Sequence, residues 1–158
     1  MLEEALVKIS NKEYDEAKVM LEAMINDSPE DPVINYHCAA VNDALGYETK
    51  AIPYYRRALE NGVSGDLREA AYIQLGSSYR CIGEYDFAGE VLEKGLSEFP
   101  ENPAMKVFYN MTLYNKGDHK KAFTNMLADL VSGSSEEWIR KYEKALRFYS
   151  EDVDKVWR

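Results

Sequence analysis

Cysteine and histidine are scarce in this chain of 158 residues, which has only Cys38, Cys81, His37 and His119. Two thiols cannot build a disulfide framework, so a reducing compartment is the expectation. Both lie within predicted helices among small residues, a setting that suits buried thiols. His37 and Cys38 are adjacent, and on a helix neighbours point about 100° apart, so no metal or other cofactor is expected. Positive charge is also short: 19 Lys and Arg face 28 Asp and Glu, for a net charge of −9. Such a surface repels phosphate backbones and anionic lipid, which argues against nucleic acid and membranes as partners. No apolar run approaches the roughly 18 residues of a membrane span. The opening stretch, MLEEALVKIS, is acidic and lacks the basic-then-apolar order of a secretion signal. The expected location is the cytoplasm.

Catalytic signatures are missing as well. The sequence contains no G-x-x-x-x-G-K-[ST], no G-x-G-x-x-G, no H-E-x-x-H and no G-x-S-x-G. Its adjacent carboxylates, Glu3-Glu4 and Glu136-Glu137, stand at predicted helix beginnings, where they meet the helix dipole and need no chemical role. Without a nucleophile–base pair or a metal constellation, the chain reads as a non-enzyme.

What is present is a repeat. With 46% hydrophobic residues the chain suits a single domain over 1–158 and can bury a core unaided. The stretch Glu69–Asn102 carries Tyr72-x2-Leu75-Gly76-x2-Tyr79, then Gly83, Tyr85, Ala88-x3-Leu92 and Pro100. Two packed helices need small and large apolar residues at this spacing, with Gly76 and Ala88 allowing close approach and Leu75, Tyr79 and Leu92 filling the seam. The small residue of the second helix recurs as Ala17, Ala51, Ala88 and Ala122, at spacings of 34, 37 and 34. Five residues before each lies a turn position, Lys12, Gly46, Gly83 or Gly117, and four after each a bulky residue, Leu21, Tyr55, Leu92 or Met126. The three extra residues of the middle spacing fall in the link Gly62–Asp66, where insertion costs little.

The pattern resembles the tetratricopeptide repeat, with Tyr72 where that family usually has Trp, and the chain is similar to small bacterial-type proteins of the family. The resemblance implies an all-α right-handed superhelix of helical hairpins, about four repeats over 1–31, 32–66, 67–101 and 102–134. A terminal helix over 135–150 and a short tail over 151–158 complete the chain. That helix has Ser134 and Glu137 at capping-box spacing and Trp138, Tyr142, Ala145 and Tyr149 along one face expected to cap the last hairpin. Arg140, Lys141, Glu143, Lys144 and Arg147 form its polar back. The first hairpin looks clipped, since its first helix spans only residues 2–10. His119 falls where Tyr14 and Tyr85 fall in their repeats, which makes it a packing or turn residue.

In such arrays the first helices of successive hairpins line a concave wall. The register of Gly76 puts Tyr36, His37, Ala40 and Asp43 on that wall from the second repeat. Ile73, Gln74, Ser77 and Arg80 come from the third, and Val107, Phe108, Met111 and Tyr114 from the fourth. Some relatives, the chaperone-binding co-chaperones, clamp a C-terminal carboxylate there with Lys, Asn and Arg. The matching places here hold Leu2, Leu6, His37, Ala70 and Gln74, so no clamp is expected. The wall suits an amphipathic helix or an extended apolar segment of a protein or peptide partner, with Asp43 and Arg80 setting its orientation. Two alternatives remain open. One is a structural homodimer through the terminal helices, suggested by Phe148, Val153, Val156 and Trp157, and the other is a peptide-sensing regulator.

Overall fold

The computed structural model describes residues 1–157, and all its regular structure is α-helix. Eight helices form four hairpins: α1 (Leu2–Ser10) with α2 (Tyr14–Asp27), α3 (Pro32–Ala44) with α4 (Glu48–Glu60), α5 (Gly65–Cys81) with α6 (Tyr85–Glu98), and α7 (Pro103–Asn115) with α8 (His119–Gly133). Two short helices, α9 (Glu137–Lys141) and α10 (Glu143–Ser150), come after them. No helix among the described residues is long and apolar enough to cross a membrane.

Each hairpin reverses at the expected turn residue. Lys12, Gly46, Gly83 and Gly117 have φ of 63°, 76°, 81° and 91°. At all four turns the next residue's N–H donates back across the turn, from Glu13 to Lys8, Tyr47 to Asn42, Glu84 to Tyr79 and Asp118 to Leu113, at 2.8–2.9 Å. The left-handed residue itself donates to the carbonyl three before it, so each first helix ends in a Schellman motif. Helix starts are fixed too: Asp31 accepts from the N–H groups of Val33 and Ile34 at 2.9 Å, and Asn102 from that of Met105 at 2.8 Å. Pro32 and Pro103 come directly after these caps, at the position where a missing N–H costs nothing.

The hairpins lean on one another. Ala17, Ala51 and Ala88 are fully buried and Ala122 is 3% exposed, so the four occupy equivalent niches. The first helices α3, α5 and α7 pack in succession, each also against the second helix of the preceding hairpin. Arg68 ties the longer link to the array: its Nη1 donates to the Leu59 and Val63 carbonyls at 3.3 Å, while Nε and Nη2 hold Glu98 at 2.6 and 2.8 Å.

Four expectations are corrected. The terminal helix is not continuous, because Tyr142, at φ −101° and ψ 8°, interrupts it between α9 and α10. Its cap is Glu136, whose carboxylate accepts from the Trp138 N–H, while Ser134 Oγ accepts from the Glu136 N–H at 3.1 Å. The face meant to pack is outside: Trp138, Tyr142 and Tyr149 are exposed, as is Ala145, whereas Ile139 and Leu146 are half-buried. Aliphatic Ile139 and Leu146 lie seven apart, two helical turns, and form a competing inner stripe. Cys81, finally, is exposed, since it is the last residue of α5, while Cys38 is buried and its thiol pKa is pushed up by burial to about 12.

Candidate partner-binding wall

Because first helices touch in succession, their free faces form one surface across α3, α5 and α7. Along it the twelve expected residues divide into distinct environments. Ala40, Asp43, Gln74 and Ser77 line a recess of about 340 Å³ between α3 and α5, closed by Glu48 and Cys81. This recess is polar. The Asp43 carboxylate accepts the Ser78 hydroxyl at 2.9 and 3.1 Å. Burial raises the Asp43 pKa, and the Ser78 hydrogen bond partly counters that shift. Arg80, Met111 and Tyr114 line a second, mostly apolar recess of about 470 Å³ with His119, Phe123 and Met126.

The rest differ. Tyr36 is a core residue, 9% exposed, with its ring 6.0 Å from that of Tyr55 and packed with Ala39 and Leu75. Its register points toward the wall, but α5 and its ring partner take the space. His37 stacks edge-on against Tyr36 at 5.2 Å, and burial lowers its pKa. Ile73 and Phe108 are half-buried and pack on the cluster of Tyr72, Leu92 and Met105. Val107 and Tyr114 remain 40% and 59% exposed, and His119 packs on Tyr114 with ring centroids 4.4 Å apart.

Sequence reasoning missed the second helix of the last hairpin. Phe123, Met126 and Leu130 on α8 are 57%, 42% and 56% exposed. A third recess, about 690 Å³ and strongly apolar, lies between α7 and α8, lined by Pro103, Val107, Phe123, Met126, Leu127 and Leu130. One signal was available. Met126 shares its register with Leu21, Tyr55 and Leu92, and among the described residues the two short helices α9 and α10, not a further hairpin, follow it.

A model of the tetratrico peptide repeat matches residues 32–153, which takes in the second, third and fourth hairpins and both terminal helices. The chain belongs to the tetratricopeptide repeat family. None of the curated proteins compared with it matches. The match joins the turns and buried alanines to the architecture that the spacing predicts, a solenoid of helical hairpins, and repeats of this family mediate protein–protein interaction. Its start at residue 32 leaves the hairpin of α1 and α2 outside the matched range, although that hairpin carries the same Schellman turn and a fully buried Ala17.

Proposed function

We propose that this tetratricopeptide array is a non-catalytic interaction module that receives an amphipathic helical or extended segment of another protein. The segment runs across the wall of first helices, past Asp43 and Ser77, and reaches Tyr114. One observation carries the reading: Tyr114, the wall's aromatic residue near the end of α7, stays 59% exposed beside a mostly apolar recess that it lines with Met111, Phe123 and Met126. Exposed aromatic surface next to a recess is what a bound side chain buries. Asp43 and Arg80 offer opposite charges along the path and favour one register of the segment.

The test is affinity capture with the native chain and with a Ser77→Arg, Tyr114→Ser variant, after circular dichroism shows equal helicity. Loss of the captured protein supports the wall, and equal capture removes it. Tyr36→Ala and Phe108→Ala are unsuitable, because both residues contribute to packing.

A second reading, self-association, is favoured by a separate feature. Trp138 and Tyr142 stack at 6.2 Å with rings 12° apart, both are more than half exposed, and the Lys141 ammonium lies 4.6 Å from the Trp138 ring centre. An ordered aromatic pair facing water suits a second copy.

A further inference from the structure

The groove between α7 and α8 is an open copy of a slot that the chain fills three times. In the preceding hairpins α3, α5 and α7 settle against the helices before them, and Leu21, Tyr55 and Leu92 beneath are each 0% exposed. At the same register Met126 is 42% exposed. The terminal segment does not close this slot: α10 packs on α8, yet Phe123 and Leu130 stay open to water. The recesses of about 690 and 470 Å³ share Phe123 and Met126, so together they run along the hairpin.

The filled slots show what fits. Their occupants are helices of 13, 17 and 13 residues. Two of them bury residues at i, i+4 and i+7, Ile34, Cys38 and Val41 in α3 and Ala71, Leu75 and Ser78 in α5, and α7 buries Met105 and Thr112 at i and i+7. The charges at the open groove's two ends set a direction. Where α7 begins, Glu101 and Asp129 share the one ammonium of Lys106, at 3.6 and 3.8 Å, so a negative charge remains. Where α7 ends, Arg80 has only Asn115 Oδ1 at 3.3 Å for Nη1, and its buried Nε has no partner. A helix running parallel to α7 sets its positive N-terminal end over the carboxylates and its C-terminal carbonyls towards Arg80, while the reverse direction opposes like charges at both ends.

We propose that this groove takes, in trans, an amphipathic helix of a partner protein seated parallel to α7, in the place that the first helix of a fifth hairpin would take. The partner helix carries a basic residue in its first turn and an acidic one in its last. The inference rests on the reading of the chain as an interaction module and gives that module's partner a chemistry. A second copy's α1 is a poor occupant, because exposed Glu3 and Glu4 would add carboxylates beside Glu101 and Asp129. A second copy's α9 and α10 are too short, at 5 and 8 residues with a break between them.

The probe is a synthetic, fluorescein-labelled helical peptide of about four turns with leucines at i, i+4 and i+7, a lysine in the first turn and a glutamate in the last. A companion has the two charges exchanged. The first should bind the full chain at least tenfold more tightly than the companion, and Met126→Asp should weaken it more than tenfold with helicity unchanged. A nitroxide at its N-terminus should broaden the amide signals of Lys106 and Asp129 rather than that of His119. Absence of binding, equal affinity for both charge orders, broadening at His119, or indifference to Met126→Asp overturns the proposal. Binding lost in Ser77→Arg but kept in Met126→Asp overturns the end groove while leaving the module reading intact. A Met126-dependent doubling of mass without peptide overturns it in favour of a second copy.

Discussion

Gly76 lies so near Leu92 that a Cβ built on it would stand 2.5 Å from Leu92 Cγ, and Leu92 is fully buried. The close approach of α5 and α6 depends on that missing atom. Gly76→Ala should therefore destabilise the fold by about 1–3 kcal/mol through overpacking, outweighing the roughly 1 kcal/mol that alanine gains in a helix. Gly89, on α6, is the control: its nearest neighbours are Thr112 Cγ2 at 3.9 Å and Lys116 Nζ at 4.0 Å, an ordinary contact. Gly89→Ala should stabilise by about 0.5–1 kcal/mol. Urea unfolding of the two variants should move in opposite directions, and a Gly76→Ala chain as stable as the native one or more so would show that the seam is not tight.

Lys12 is the one non-glycine residue with positive φ among those described, at 63°. It makes the Schellman turn that glycine makes in the other hairpins, and bears the Cβ strain of the left-handed region. Lys12→Gly should raise stability by about 0.5–1 kcal/mol, less than the strain itself because glycine gains freedom in the unfolded chain. Gly83→Ala should lose about 1 kcal/mol at the equivalent place. Melting temperatures of the two variants check both.

Much of this architecture was legible because a repeat states each packing rule four times. The buried alanines and the turn residues recur in register, and repetition separates a rule from an accident. The wall was less legible. Register assigns a helix face, but whether that face is open depends on the side chains of the neighbouring hairpin, and Tyr55 with Leu75 covers Tyr36. The terminal segment failed for another reason: Trp138 and Tyr142 on one side, and Ile139 and Leu146 on the other, both satisfy helical spacing. Only the geometry of α8 chooses between them. The exposed row on α8 went unread because Met126 shares the register of buried residues, and among the described residues no fifth hairpin covers it.

Glu98 accepts from Arg68 at 2.6 and 2.8 Å and from the Tyr72 hydroxyl at 2.6 Å. The Arg68 hydrogen bonds, then that of Tyr72, lower its carboxyl pKa from the ordinary 4.5 to about 2. A lowered folded value means that the ionised carboxylate stabilises the fold above about pH 4.5, and that this contribution is lost as pH falls through about 2. The group is partly solvated, so about 1 kcal/mol at neutral pH is the expected scale. Glu98→Gln should melt below the native chain at pH 7, with a gap that narrows under pH 4.5 and closes near pH 2. A gap independent of pH would mean that glutamine's cost is packing alone.

Trp138 and Tyr142 make the last case, because they separate a structural role from an associative one. Both are exposed, at 60% and 51%, and they stack on each other rather than into the core. Removing them takes little surface from the folded interior, so Trp138→Ser with Tyr142→Ser should change unfolding free energy by no more than about 0.5 kcal/mol. If copies associate through this row, sedimentation at micromolar concentration should show a dimer for the native chain and a monomer for the variant. A native chain that sediments as a monomer removes the second reading. A large loss of stability in the variant would instead show that the aromatic pair braces α9 against the array, the capping role that its spacing first suggests.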